Sequence, residues 1–296
     1  MRGTVALLRC MRPWQYTKNL LVFAALVFAR EMGNPDAVVK TVVAFVLFCM
    51  VSSAVYLIND VRDAEGDRRH PDKRDRPIAC GALSPSAAST AAAVLLVAGI
   101  GGALVVNFNL GAVTAAYFVL QMLYQFALRH MVILDVFAIA GGFVLRAVAG
   151  AEAIAVEISP WLLICTLLLA LFLGLAKRRG EIVLLEDEAR NHRATLARYS
   201  VALLDQLIAV VASATLMSYC LYTISERTVA ELGSTRLMYT IPFVIYGLFR
   251  YLYLMHRHGH GGAPDRTLLT DRPLLLNVAL YAVTAAAIIH LAPDGP

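Results

Sequence analysis

The feature that most constrains this 296-residue chain is a succession of nine apolar runs, at about 14–30, 37–58, 86–105, 108–128, 131–154, 159–176, 200–224, 238–255 and 274–292. Runs of roughly 17–25 residues match the helix length that crosses a hydrocarbon layer about 30 Å thick. Composition agrees, since 59% of the residues are apolar against roughly 45–50% in soluble domains. Few segments alternate as barrel strands would. The expected fold is therefore all-α, an integral membrane protein of nine transmembrane helices. Residues 1–296 are expected to form a single transmembrane domain, with its long polar loops at about 59–85 and 177–199.

Nine crossings place the termini on opposite sides, and the basic residues select which side is which. With a cytosolic N-terminus and an extracytoplasmic C-terminus, the inner segments collect 21 of the 26 Lys and Arg residues. The outer side keeps Arg30, Lys40, Arg227 and Arg236, and Arg146 is left deep within the fifth run, assigned to neither side. The net charge of +5 thus reads as a topology signal, with no nucleic-acid partner implied. The first run has a basic flank but no small-x-small cleavage site and is expected to stay as a helix. Five cysteines without CxxC spacing indicate neither a disulfide framework nor a zinc site. His256, His258 and His260 alternate in a glycine-rich stretch without a sequence-adjacent carboxylate, so no built metal site is expected there.

Twelve of the 47 charged side chains crowd into residues 59–77, NDVRDAEGDRRHPDKRDRP, where the second run leaves the membrane. If the helix continues for two more turns, Asn59, Asp60, Asp63 and Asp67 lie at about 0°, 100°, 40° and 80° around its axis. Carboxylates so close repel one another, and something positive is expected between them. Hard oxygen donors of this kind suit Mg²⁺, which takes one or two carboxylates and completes its shell with phosphate and water. Pro71 should end the helix, and beyond it Lys73, Arg74 and Arg76 supply cations suited to phosphate oxygens.

NDVRDAEGD followed by DKRDRP resembles the first aspartate-rich motif of the UbiA superfamily of intramembrane prenyltransferases, NDxxDxxxD with a trailing basic-Arg-Pro. More narrowly, RPWQYTKNLLVFA at 12–24, LDVFAIAGGFVLRAVAGA at 134–151, SPWLLICTLLLALFLGLAKRRGE at 159–181 and LLDQ at 203–206 look like the decaprenyl-phosphate phosphoribosyltransferase branch. The resemblance implies a nine-span bundle with a central cavity open to the cytosolic side of a bacterial plasma membrane. Aromatic prenyltransferases of the superfamily carry a second aspartate-rich motif after the sixth span, where this chain has KRRGEIVLLEDE. Lys177, Arg178 and Glu181 fall at about 0°, 100° and 40° there, so fixed cations and one carboxylate replace a second metal site.

That departure suits 5-phosphoribosyl diphosphate (PRPP), the donor the resemblance implies, with a polyprenyl phosphate as acceptor and diphosphate as leaving group. Asn59, Asp60, Asp63 and Asp67 would then place Mg²⁺ on the diphosphate. Lys73, Arg74, Arg76, Lys177 and Arg178 would bind phosphates, and Glu181 a metal or a ribose hydroxyl. Lys18 and Arg129 stand at the cytosolic interface as candidate contacts to the lipid phosphate. Arg146, about 15 residues into the fifth run, is costly unless it faces a cavity or a partner. Tyr124 and Asp135 match the family pattern without a role assigned by their chemistry. A prenyltransferase joining an isoprenyl diphosphate to an aromatic or quinone precursor is the alternative enzyme, and a transporter lacks support because no inverted repeat is visible. A homo-oligomer is compatible with the sequence.

Overall fold

The computed structural model describes residues 2–71, 73–186, 199–257 and 270–291, and every regular element among them is helical. In chain order these are α1 (Arg2–Met11), a 3₁₀ run (Pro13–Phe23), α2 (Ala24–Phe28), α3 (Pro35–Arg62), α4 (Ala64–Arg69), α5 (Pro85–Val106), α6 (Phe108–Phe126), α7 (Leu134–Ile154), α8 (Pro160–Glu186), α9 (Val201–Ile224), α10 (Glu226–Leu232), α11 (Ile241–Arg257) and α12 (Arg272–Leu291), with short 3₁₀ turns at Glu31–Gly33, Leu128–His130 and Arg236–Thr240. Seven stretches among the described residues are long and apolar enough to cross a membrane, and they contain α3, α5, α7, α8, α9, α11 and α12. The first apolar run becomes the 3₁₀ segment and α2, and the fourth becomes α6. Both are more polar than the rest, with Gln15, Thr17, Lys18 and Asn19 in one and Asn109, Thr114, Gln121 and Gln125 in the other.

Helix starts follow from local chemistry. Asn34 precedes Pro35 and its side chain accepts from the amides of Asp36 and Ala37. Ser84 precedes Pro85 and accepts from Ala87, and Ser200 accepts from Leu203. In each case a side-chain oxygen satisfies an amide that the first turn leaves without an intrahelical partner, and proline stands where no amide is needed.

The described residues gather into two compact units. In the first, residues up to 27 together with 31–126 and 145–157, α3 packs against α1, the 3₁₀ run, α5 and α6. The packing face of α5 is made of small residues, since Ala88, Ala92, Gly99 and Ala103 are buried, whereas Val94, Val97 and Val105 are exposed. Hydrocarbon is as apolar as leucine, so helices in a membrane associate by close backbone approach and leave bulky residues to the lipid. A Cβ on Gly99 would stand 2.6 Å from Val51 Cγ2, and one on Gly150 would stand 1.9 Å from the Val22 carbonyl oxygen.

In the second unit, residues 28–30, 127–144 and 158 onward, α8 packs along α9, and α11 against α9 and α12. Its core joins Val136 and Ala140 of α7 to Phe172, Leu175, Leu204, Ile208 and Met255. The same unit encloses an apolar cavity of about 420 Å³ lined by, among others, Leu169, Phe172, Leu173, Phe243 and Val278. Helix α7 thus contributes its first half to one unit and its second half to the other.

Gly150→Ala is expected to destabilise the fold by about 1–3 kcal/mol, the usual range for overpacking. Gly101→Ala, where an added Cβ meets nothing within 4 Å, should leave the detergent unfolding midpoint unchanged.

Candidate active site

The acidic face predicted from the sequence is present, with one adjustment. Helix α3 ends at Arg62, and Asp63 (φ −88°, ψ 3°) separates it from α4. The hydrogen-bond ladder nevertheless continues, because the Asp63 amide donates to the Asn59 carbonyl at 2.9 Å and the Asp67 amide to the Asp63 carbonyl at 2.8 Å. Asp60 and Asp67 are buried, at 3% and 5% exposure.

The positive charge expected between the carboxylates is a guanidinium. Arg76 Nη1 donates to Asp60 Oδ1 at 3.3 Å and to Asp67 Oδ2 at 2.8 Å. Arg12 Nη2 donates to the same Asp60 oxygen at 2.6 Å and lies over the Tyr56 ring, 5.1 Å from its centroid. Arg12 itself adopts a left-handed conformation, φ 56°, at the junction between α1 and the 3₁₀ run. Asp63 pairs with Arg62 Nε at 3.3 Å, and Arg62 also donates to the Gln125 carbonyl at 2.8 Å.

Arg76 is held by the loop that carries it. Ile78, 1% exposed, and Leu83 join Ala6, Cys10, Leu57 and Ala64 in one apolar cluster. The amide of Leu83 closes back on the Pro77 carbonyl at 3.0 Å. Within this loop Lys73 is half-buried and Arg74 is exposed. Burial also pushes the Cys10 thiol up to about 11, so it behaves as a core residue and not as a nucleophile.

The donors are hard oxygens, the chemistry the motif's cation would take, while Arg12, Arg62 and Arg76 engage the three carboxylates. Among the described residues no group of three His, Cys, Asp or Glu is arranged to hold a metal ion. A set of that kind suits an ion whose shell is completed by substrate phosphate and water, as Mg²⁺ requires.

Arg146, the charge inside the fifth run, is 5% exposed and braced within the first unit. Its Nε donates to Asn19 Oδ1 at 2.7 Å and its Nη2 to the Tyr117 hydroxyl at 2.8 Å, with the guanidinium 4.8 Å from the Tyr117 ring centroid. Asn19 and Tyr117 both reach Ser52 Oγ, at 3.3 Å each. Lys18, read as a lipid-phosphate contact, and Tyr124, to which the sequence assigns no role, are half-buried. Arg129 donates from Nε to His130 Nε2 at 3.0 Å.

In the second unit Arg178 is 5% exposed and clamped by two carboxylates. Its Nε donates to Asp135 Oδ2 and its Nη1 to Glu181 Oε2, both at 2.7 Å. Lys177 Nζ stands 4.0 Å from Glu181 Oε1. The Tyr199 hydroxyl donates to Asp135 Oδ1 at 2.9 Å and accepts from the Ile133 amide at 2.5 Å. Burial pushes the Tyr199 phenol up to about 12, which keeps its proton in place for that bond. Ile133 has φ 72°, a left-handed conformation that costs a β-branched residue about 1–3 kcal/mol. Arg178 was expected from sequence to bind phosphate, and here its guanidinium is engaged by protein carboxylates. Arg179 similarly reaches Asp205, at 2.5 Å.

Sequence reasoning missed Arg12, Tyr199 and Asp205 and gave Asp135 no role, because partners 26 to 64 residues apart leave no spacing signal. Of the three histidines, His256 lies 3.5 Å from Asp205 Oδ1, while His258 and His260 fall outside the described residues. So does the part of the predicted second loop that spans 187–198.

The UbiA prenyltransferase family matches residues 19–269, and the chain belongs to that family. It is 34% identical over 293 residues to a protein of Corynebacterium glutamicum named decaprenyl-phosphate phosphoribosyltransferase, covering 97% of this chain and 87% of that one. A protein of the same name from Mycobacterium tuberculosis is 35% identical over 285 residues, covering 95% and 93%. Among solved structures, a UbiA homolog from Archaeoglobus fulgidus bound to GPP and Mg²⁺ matches with a TM-score of 0.69 over 96% of this chain and 99% of that one, at 16% identity. That likeness establishes the fold as UbiA-like.

Two substitutions check the site's construction. Arg76→Met should destabilise the protein by about 3 kcal/mol, the loss expected when a buried carboxylate loses its partner. Arg146→Leu leaves buried Asn19 and Tyr117 oxygens short of a donor and should cost about 2 kcal/mol. Both are read as detergent unfolding midpoints.

Proposed function

We propose that this chain transfers the 5-phosphoribosyl group of PRPP to a polyprenyl phosphate, with decaprenyl phosphate as the natural acceptor, and releases diphosphate. The observation that carries this reading is near full-length similarity to proteins named for that reaction. The KRRGE segment adds support, because it carries fixed cations and a single carboxylate where a second aspartate-rich motif would stand.

Asn59, Asp60, Asp63 and Asp67 would hold Mg²⁺, which supplies charge stabilisation to the departing diphosphate when bound. Arg12 and Arg76 fix the position of Asp60, and Arg76 that of Asp67. Lys73, Arg74 and Arg76 contact diphosphate oxygens as point and forked donors. Lys177 binds the 5-phosphate, and Glu181 accepts from a ribose hydroxyl. The anomeric C1–O bond breaks with its electron pair leaving on the diphosphate, and the ribose passes through oxocarbenium character. An oxygen of the lipid phosphate supplies the pair for the new C1–O bond from the opposite face. That oxygen is already anionic, so no general base is needed. Lys18, Tyr124 and Arg129 serve the lipid phosphate, and Arg146 fixes the helices around it.

The chain crosses a bacterial plasma membrane nine times, with the N-terminus cytosolic. Eleven 3₁₀ residues and five α residues in the first run extend about 30 Å at roughly 2.0 and 1.5 Å per residue, close to the hydrocarbon thickness. The 19 residues of α6 extend about 28 Å. The apolar cavity of the second unit offers surface of the kind an isoprenoid chain requires. The product would supply arabinose precursors to the cell envelope.

With purified protein, polyprenyl phosphate and PRPP labelled in the ribose, label is expected to enter the organic phase in the presence of Mg²⁺ and to stop with EDTA. Asp63→Asn should lower the rate by about 10²-fold, the scale of losing one group that stabilises departing charge. Absence of transfer by the wild type would refute the assignment.

A further inference from the structure

Five groups of the second unit form one continuous chain of donors and acceptors. The Ile133 amide donates to the Tyr199 hydroxyl, Tyr199 donates to Asp135 Oδ1, Arg178 Nε donates to Asp135 Oδ2, and Arg178 Nη1 donates to Glu181 Oε2. Asp135, Arg178 and Tyr199 are each at most 5% exposed, whereas the Glu181 side chain keeps 24% exposure. The chain is therefore buried at every side chain except its last, the carboxylate read above as a ribose contact.

The geometry of its two ends is informative. At the end away from Glu181 the Ile133 amide is carried by a left-handed backbone, φ 72°, immediately before α7, and such a conformation persists only where its surroundings over-determine it. At the outer end Glu181 sits one turn beyond Arg178 on α8, reached by the same guanidinium that Asp135 fixes. A planar fork with one edge anchored to a buried carboxylate has little freedom left, so the second acid it grips is set in direction as well as place.

We infer that Asp135 and Tyr199 are positioning residues that orient the Glu181 carboxylate through Arg178, and so tune recognition of the ribose part of the donor. The inference rests on the PRPP reading for its consequence and on the contacts alone for its mechanism. Neither residue touches substrate. Asp135 fixes the guanidinium that grips Glu181, and Tyr199 holds Asp135 in the rotamer that does so. An oriented acceptor discriminates strongly for a hydroxyl, because a site built to hydrogen-bond a group rejects the analogue that lacks it.

Tyr199→Phe removes one hydroxyl, keeps the ring in its cluster and is the variant of choice. Asp135→Asn also strands a buried guanidinium and is the harsher companion. In ligand-free protein, modification of Glu181 by a water-soluble carbodiimide, followed by mass spectrometry, should be at least threefold faster in Tyr199→Phe than in the wild type, with Glu157 as internal reference. With substrates, KM for PRPP should rise about tenfold while KM for polyprenyl phosphate stays within twofold. In a Glu181→Gln background, Tyr199→Phe should add less than twofold to the PRPP effect. Unchanged carbodiimide reactivity of Glu181, or additive effects in the Glu181→Gln background, would overturn the inference. Wild-type protein that does not turn over PRPP would overturn the functional reading instead, and the ligand-free modification rates would still decide the positioning role.

Discussion

A guanidinium cannot be left alone in a membrane bundle, and that single constraint organises most of the polar structure of this protein. Burying a charge in hydrocarbon is unfavourable by roughly 2.5–3.5 kcal/mol or more on insertion scales, so each buried arginine comes with a built environment. Arg146 is surrounded by neutral oxygens and an aromatic face from the 3₁₀ run and α6. Arg178 is matched by two carboxylates. The first arrangement leaves a cation that fixes helices. The second neutralises itself and leaves one partly exposed acid.

The acidic face follows the same logic with the signs reversed. Asp60 and Asp67 are as buried as the arginines, and they share Arg76, with Arg12 completing the group. Breaking such a set by removing one member is costly, whereas its net contribution to stability is small. Its value is therefore functional. Carboxylates held in place beside a mobile substrate anion are suited to a cation that arrives with that substrate, the role proposed here for Mg²⁺.

Much of this was legible in the sequence and some of it was not. Seven of the apolar runs correspond to helices long and apolar enough to span, because hydropathy over about 20 residues is a local property. The continuation of the helical turn beyond Asn59 followed from local sequence, and the one-residue interruption at Asp63 left the backbone ladder intact. The pairings of Arg12 with Asp60 and of Arg178 with Asp135 join residues 48 and 43 positions apart. No periodicity encodes such contacts, which is why Arg178 read as a phosphate ligand and Tyr199 went unnoticed. The 3₁₀ geometry of Pro13–Phe23 was also hidden, since it accompanies the close approach of Gly150 to the Val22 backbone.

The most direct test of the central claim is a choice experiment on the purified protein. PRPP and geranylgeranyl diphosphate are supplied together at equal concentration with Mg²⁺, a polyprenyl phosphate and an aromatic acid acceptor, and the lipid products are resolved by mass spectrometry. The expected result is polyprenyl phosphoribose formed in step with diphosphate release, with the isoprenyl diphosphate left intact. A prenylated aromatic acid without any phosphoribosylated lipid would contradict the assignment while leaving the acidic face and the UbiA fold in place.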